Sequence, residues 1–199
     1  MNIRKLTHLG LWAPFLLSFV ASTQLYAKVE DTVKETFTTT GSGLLTLELQ
    51  SAGVEIDTYN GSEVSIEITR TLKRGDQEDF DEELKKLDLT FEQSGNDIRC
   101  LMTYDNKKSG WNWFRSSKRL NFKTVVRIPK SFNVNTKTSG GGINLSNLQG
   151  DAELRTSGGG IVMETVDGNV VARTSGGGIR AHNVIGNVEM RTSGGSIKA

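Results

Sequence analysis

The sequence predicts an all-β protein: a single-stranded parallel β-helix, or β-solenoid, with 18-residue coils, a short N-terminal capping helix and irregular N-terminal strands. Two observations lead to this prediction. Thr-Ser-Gly-Gly recurs at one constant spacing without insertion, starting at Thr138, Thr156, Thr174 and Thr192. Within each copy apolar residues alternate with polar ones, as expected for strands that bury one face.

Each repeat is expected to supply two short strands with a shared inward face. The inward residues of the first repeat, with the same offsets in later copies, are Ile143, Leu145, Leu148, Ala152, Leu154 and Thr156. One unit cannot bury its apolar face alone, so stacked coils about 4.8 Å apart should share a core. The glycines after each Thr-Ser should mark corners that need positive φ or a close backbone approach.

Two other repeat folds are disfavoured by the spacing. The left-handed hexapeptide helix has coils of the same length, but it requires an aliphatic residue at every sixth position, and the apolar columns here are unevenly spaced. Calcium-binding nonapeptide repeats require an aspartate after the glycines, where this chain has Ile143 and Ile161. The parallel β-solenoid therefore remains the expected fold.

The N-terminus has the pattern of a bacterial signal peptide. Arg4 and Lys5 precede an apolar segment at 9–20, and Ala27 ends a short cleavage site. The apolar segment is shorter than the roughly 20 residues that a membrane span needs. We therefore expect an exported protein, located in the periplasm, at the cell surface or secreted, whose mature form begins near Lys28.

Between the leader and the regular repeats, the strand pattern is looser. A short segment has acids first, lysines last, and Phe80 and Leu84 on one helical face, which indicates a helix that covers the N-terminal end. The expected organisation is a signal peptide at 1–27, irregular strands at 28–130 with an inserted helix at 76–87 and an aromatic-basic loop at 105–119, and regular repeats at 131–199.

Composition and side-chain inventory disfavour several function classes. The chain has 24 Lys and Arg against 23 Asp and Glu, so bulk charge gives no indication of a nucleic-acid partner. Cys100 lies in an alternating apolar run and is expected to be buried and inert. His182 is the one histidine outside the leader, so we expect no metal site and no cofactor. No acid pair persists in neighbouring repeats, and we expect no enzyme.

The first candidate binding feature is a column of basic residues before each repeat threonine. Its members are Lys137, Arg155, Arg173 and Arg191. Stacking would place these like charges about 5 Å apart, which is repulsive. Either neighbouring Glu153 and Glu189 relieve the repulsion, or an anionic ligand lies along the column, and both interpretations remain open.

The second candidate is the aromatic-basic loop. Trp111, Trp113, Phe114 and Arg115 stand together among several further cations. Exposed aromatic rings beside cations suit contact with a sugar, a lipid headgroup or a protein. The same residues could instead fold back and cap the repeats, and the sequence does not decide between these roles.

A family resemblance follows from the order of these elements. A strand ending in Val-Arg-Ile-Pro-Lys at 126–130 leads into Thr-Ser-Gly-Gly-Gly-Ile repeats with Gly-Asn-Val turns. In this the chain resembles, over roughly residues 36–199, the bacterial putative-adhesin β-solenoid domains of unknown function, which are similar to adhesin head domains. The resemblance implies an exported solenoid with an adhesin-like role, and it supplies no catalytic residues.

The expected function is therefore an exported, non-enzymatic, adhesin-like binding module. Its partner would be a glycan, lipid or protein of the cell surface or envelope. A structural, self-assembling envelope protein is the second possibility, because the last repeat would offer unpaired strand edges for end-to-end self-association. A glycan-processing β-helix enzyme is the third.

Overall fold

The computed structural model describes residues 28–104 and 120–199. The predicted signal peptide at 1–27 and the predicted loop at 105–119 lie outside these residues. The strands are β1 Val29–Thr38, β2 Leu44–Leu49, β3 Ala52–Tyr59, β4 Glu63–Leu72, β5 Leu87–Ser94, β6 Asp97–Tyr104, β7 Leu120–Pro129, β8 Asn133–Thr138, β9 Ile143–Leu148, β10 Ala152–Thr156, β11 Ile161–Asp167, β12 Val170–Thr174, β13 Ile179–Ile185, β14 Val188–Thr192 and β15 Ile197–Lys198, with the helix α1, Gln77–Leu84, between β4 and β5.

The described strands form two large mixed sheets. The eight-stranded sheet has the order β1-β4-β7-β3-β9-β11-β13-β15, and the seven-stranded sheet has the order β14-β12-β10-β8-β2-β6-β5. Repeat strands pair in parallel with the equivalent strand of the neighbouring repeat, so that Ile161 lies opposite both Ile143 and Ile179. However, β4 pairs antiparallel with β1 and β7, and β5 pairs antiparallel with β6.

The prediction of a single-stranded parallel β-solenoid is therefore wrong, although the chain is all-β. The cause lies upstream of the regular repeats, where the chain reverses direction. Gly95 has a φ of +60° and allows a tight turn, which places Ser94 opposite Asp97 in an antiparallel hairpin. β7 then inserts between β3 and β4, parallel to β3 and antiparallel to β4.

The two sheets share one apolar core, to which both contribute alternate residues. The inward face predicted for the first repeat is confirmed, since its six members are at most 6% exposed. Cys100 is buried, as predicted, and burial raises the pKa of its thiol to about 12. The thiolate needed for reactivity is therefore strongly disfavoured.

The helix is shorter than the predicted 76–87. Asp76 caps its N-terminus by accepting a 3.0 Å hydrogen bond from the backbone N–H of Asp79, and Phe80 on the helix is buried in the core. Leu87 is not helical because it begins β5, where it alternates with polar residues. In the described part of the chain, no helix is long and apolar enough to cross a membrane.

The threonine of each Thr-Ser-Gly-Gly copy forms hydrogen bonds that explain its place in the repeat. The Thr156 hydroxyl donates to the carbonyl oxygen of Gly141 in the preceding repeat at 2.7 Å and accepts from the backbone N–H of Gly159 at 3.3 Å. Thr174 repeats both contacts one copy later. Each buried threonine thus links the glycine corner of its own repeat to the equivalent corner of the preceding repeat.

The second glycine of each repeat is fixed by close backbone approach. A Cβ on Gly159 would lie 2.2 Å from the carbonyl oxygen of Gly141, and one on Gly177 would lie 2.2 Å from that of Gly159. No side chain fits at such a distance. These corners therefore confirm the expected close approach and do not use positive φ.

Positive φ occurs at a different column. Asn147, Thr165 and Asn183, which are equivalent positions in successive repeats, have φ values of 62°, 56° and 53°. Asparagine tolerates this left-handed conformation better than the β-branched threonine does. At this point two successive side chains face outward before the next core residue, so the column marks a bend in each strand of the eight-stranded sheet.

Candidate functional site

The outer face of the seven-stranded sheet carries the predicted basic column. Arg155 lies opposite Lys137 on β8 and Arg173 on β12, and Arg173 lies opposite Arg191 on β14. All four side chains alternate with core-side residues and therefore face outward, although the neighbours of Arg191 are only partly buried. We call this set of four residues the basic row.

Two members of the basic row are held by glutamates on the same face. Arg155 forms an ion pair with Glu153 on its own strand, and Arg173 donates a 2.7 Å hydrogen bond to Glu189 on β14. The Glu189 hydrogen bond raises the pKa of Arg173, and the same contact lowers the pKa of Glu189. Glutamates therefore relieve the charge repulsion in the middle of the row.

The two ends of the row are less fully paired. Lys137 makes no ion pair within the described residues, although Glu48 lies opposite it on β2. Glu48 is instead bonded to Arg99 at 2.8 Å. Arg191 acts on Glu189 through its charge, without a hydrogen bond among the described residues. The face thus combines bonded guanidinium–carboxylate pairs with two more available cations.

A ladder of amide and carboxylate groups lies beside the basic row. Its members occupy one column of the repeat and are Asn133, Asp151, Asn169 and Asn187. The Asn133 Oδ1 atom accepts from the Asp151 N–H at 2.9 Å, and the Asp151 Oδ1 atom accepts from the Asn169 N–H at 2.8 Å. The Asn187 side-chain amide donates to Asn169 at 3.0 Å. This ladder fixes polar groups in regular positions along the sheet.

A shallow groove contains three members of the ladder and the two central members of the basic row. It is lined by Leu44, Asn133, Val134, Asn135, Asp151, Ala152, Glu153, Arg155, Asn169, Val171 and Arg173. Leu44 is 37% exposed, so an apolar contact stands beside the polar groups. The groove therefore offers donors, acceptors and a small apolar surface on one rigid face.

The outer face of the eight-stranded sheet has a different row of polar residues. Ser146 lies opposite Glu164, and Glu164 lies opposite His182. Ser146 and His182 are thus two strands apart, about 9–10 Å, so the imidazole is not adjacent to the hydroxyl. Across 28–104 and 120–199, no group of three or more His, Cys, Asp or Glu is placed to hold a metal ion.

Sequence reasoning identified only part of this surface. The structure brings together Lys137, Arg155, Arg173 and Arg191, whereas Trp111, Trp113, Phe114 and Arg115 lie outside the described residues. The amide ladder and Leu44 were missed. The ladder had a visible signal, because Asn169 and Asn187 occupy the same column of the repeat.

Fold and surface together define an all-β protein of two mixed sheets with a repeat-built outer face. No family model matches the chain, and no curated protein matches it. Among solved structures, the chain is similar to a putative cell adhesion protein from Clostridium sporogenes ATCC 15579, with 11% identity, a TM-score of 0.54, and coverage of 84% of this chain and 98% of that one. At this identity the likeness shows a shared fold.

Two further solved structures are more distant. One is a putative lipid binding protein from Parabacteroides distasonis ATCC 8503, at 12% identity and a TM-score of 0.33, covering 85% of this chain and 96% of that one. The other is a putative adhesin from Bacteroides fragilis NCTC 9343, at 11% identity and a TM-score of 0.26, covering 84% and 96%. The predicted resemblance is confirmed only in part, as a fold shared with a bacterial protein described as a putative cell adhesion protein, and the repeat family is not shown.

Proposed function

We propose that the chain is an exported, non-enzymatic binding module that contacts a glycan of the bacterial envelope or cell surface. The contact surface is the outer face of the seven-stranded sheet. The observation that supports this most directly is one groove in which Arg155 and Arg173 of the basic row lie with Leu44 and three members of the amide ladder, Asn133, Asp151 and Asn169.

The balance of charge on this face favours a hydroxyl-rich ligand over a polyanion. Arg155 and Arg173 are already bonded to glutamates, so a polyanion would meet carboxylates beside each guanidinium. A sugar hydroxyl both donates and accepts hydrogen bonds, and it can use a carboxylate and a guanidinium together. The regular spacing of the ladder also suits a polymer with repeated units.

The rigidity of the surface supports a binding role. Its side chains stand on paired strands above a buried core, so little conformational entropy would be lost on binding. The fold is shared with a solved structure described as a putative cell adhesion protein, which is consistent with a binding role. Export to the periplasm or cell surface belongs to the same proposal and depends on the predicted signal peptide.

The test is binding of residues 28–199 to a panel of neutral polysaccharides, polyanions and anionic vesicles. We expect retention by a neutral glycan, with only weak dependence on salt because few net charges are involved. Replacing Arg155→Gln together with Arg173→Gln should weaken binding at least about tenfold, since charge-assisted hydrogen bonds contribute about 1.5–3 kcal/mol each.

A matched control removes two cations from the opposite sheet. Lys123 is bonded to Glu55 at 3.1 Å, and Arg180 is exposed on β13, so Lys123→Gln with Arg180→Gln makes the same charge change elsewhere. This control should bind like the unchanged chain. Equal loss in both variants, or binding confined to polyanions or vesicles, would contradict the proposed glycan surface. Release of shortened glycan would contradict the non-enzymatic role.

A further inference from the structure

The groove on the outer face of the seven-stranded sheet crosses four neighbouring strands, β2, β8, β10 and β12. One column supplies a residue from each of them. Leu44 lies opposite Asn133, and Asp151 and Asn169 follow on the next two strands. Neighbouring strands lie about 4.7–4.9 Å apart, so the column spans about 14–15 Å at right angles to the strands. A ligand that uses the whole groove is therefore a chain that runs across the strands.

The hydrogen-bonding groups that the amide ladder leaves free alternate from strand to strand. Asn133 uses its side-chain oxygen on the backbone N–H of Asp151, so within the described residues its NH2 group is a free donor. Asp151 uses Oδ1 on Asn169, and among the same residues its Oδ2 atom accepts no hydrogen bond. Asn169 uses one amide hydrogen on Asp151, which leaves the second hydrogen to donate. The order along the groove is therefore donor, acceptor, donor.

The next outward column has the same period of two strands. Glu153 on β10 lies opposite Val171 on β12, and Val171 lies opposite Glu189 on β14. Arg155 is bonded to Glu153 and Arg173 is bonded to Glu189, so a carboxylate paired with a guanidinium recurs two strands later. Val171 is half-buried and places an apolar surface between the two carboxylates. Both columns thus change character at each strand and return to it after two.

One class of polysaccharide has this geometry. In a β-1,4-linked chain of pyranoses with equatorial bonds at both linkage carbons, each ring lengthens the chain by nearly one strand spacing. Successive rings are turned over, so alternate edges of the rings face the same side, and a hydroxyl can meet a donor or an acceptor in turn. Chains with α-1,4 or β-1,3 linkages curve, and they leave a straight column after a few rings.

We propose that the groove binds an extended, neutral β-1,4-linked glycan, with one pyranose ring over each of the four strands. This inference rests on the proposed glycan-binding function and adds the linkage and the direction of the chain. The ring over β10 donates a hydroxyl to the Oδ2 atom of Asp151, and the rings over β8 and β12 accept from Asn133 and Asn169. The ring over β2 packs on Leu44.

Calorimetric titration of residues 28–199 tests the linkage and the length of the site. The ligands are β-1,4-linked oligomers of glucose, mannose and N-acetylglucosamine. For at least one of these sugars, we expect the affinity to rise at least about tenfold from two rings to four, because each added ring brings new hydrogen bonds, and to change little beyond four. Four-ring glucose oligomers with α-1,4 or β-1,3 linkages should bind at least about tenfold more weakly.

The variant Asp151→Asn tests the alternation of donors and acceptors. Its side-chain oxygen can still accept from the backbone N–H of Asn169, so the melting temperature should stay nearly unchanged, but its free group becomes a donor. Binding of the four-ring β-1,4-linked oligomer should fall at least about tenfold. Asp167→Asn is the matched control, because Asp167 is exposed on β11 of the opposite sheet, and this variant should bind like the unchanged chain.

Three results would overturn the inference: α-1,4- or β-1,3-linked oligomers that bind as tightly as the β-1,4-linked ones, two rings that bind as tightly as four, or normal binding by Asp151→Asn. The proposed function survives each of them if binding of another glycan still depends on Arg155 and Arg173. If no glycan of any linkage binds, the inference and the proposed function are both wrong.

Discussion

Thr136 and Thr138 stand two residues apart on β8 with both hydroxyls buried, yet only one hydroxyl has a partner. The Thr138 hydroxyl donates to the carbonyl oxygen of Ala52 at 2.8 Å. The Thr136 hydroxyl finds no hydrogen-bond partner among the described residues and is 0% exposed. A buried polar group without a partner is destabilising, whereas a bonded one contributes to stability.

The two threonines should therefore respond in opposite ways to the same change. Thr136→Val removes an unsatisfied hydroxyl at nearly constant volume and should raise the free energy of unfolding by about 1 kcal/mol. Thr138→Val leaves the Ala52 carbonyl without its donor and should lower it by about 1–3 kcal/mol. Urea unfolding of both variants measures the difference, and shifts of the same sign would refute the assignment.

Gly159 tests the close packing of neighbouring corners. Gly159→Ala would place a Cβ 2.2 Å from the Gly141 carbonyl oxygen, so the backbone must shift at a cost of about 1–3 kcal/mol or more. Gly53 on β3 serves as the control, because a Cβ added there would have nothing within 4 Å. Gly53→Ala should leave the melting temperature unchanged or raised, and equal losses would argue against the corner geometry.

Thr165 is the one β-branched residue in the positive-φ column. Thr165→Asn should stabilise the protein by about 0.5–1 kcal/mol, because asparagine adopts φ near +56° with less strain. The new side-chain oxygen can still accept from Asn183, whose amide now reaches the Thr165 hydroxyl at 3.4 Å. Asn183→Thr is the reverse change and should destabilise. Thermal unfolding of the two variants checks the pair.

The aromatic-basic loop gives a prediction from sequence alone. Trp111→Ala with Trp113→Ala should weaken attachment to the recognised surface while leaving the melting temperature nearly unchanged, because exposed aromatic anchors carry much contact energy. Iodide quenching of red-shifted tryptophan emission checks their exposure in the free protein. Protected, blue emission with a large loss of stability would assign the loop to capping instead.

The repeat half of the fold could be read from the sequence, and the other half could not. Period-two alternation placed Leu145 and Leu154 in the core because each repeat carries the same local pattern. The antiparallel pairing of β4 with β7 joins residues far apart in sequence, such as Ser65 and Arg127, and no local pattern encodes which strands meet. A strict repeat therefore suggested a regularity that the upstream strands do not continue.

The candidate site, too, could be predicted only in part from the sequence. The outward positions of Arg155 and Arg173 follow from alternation, but their partners do not, since Arg155 uses Glu153 on its own strand and Arg173 uses Glu189 on the next. The difference arises because Val171 replaces an acid in the middle repeat. The structure was therefore needed to determine which cations remain available to a ligand.

The most direct test of the proposed binding surface is a map of backbone amide chemical shifts during titration with a neutral polysaccharide that binds. The largest shifts should fall on β8, β10 and β12, around Asn133, Glu153 and Arg173, where the groove lies. Amides of β11 and β13, on the opposite sheet, should change little. Shifts centred on Glu164 and His182, with the amide shifts of β10 and β12 unchanged, would contradict the assignment of function to the outer face of the seven-stranded sheet.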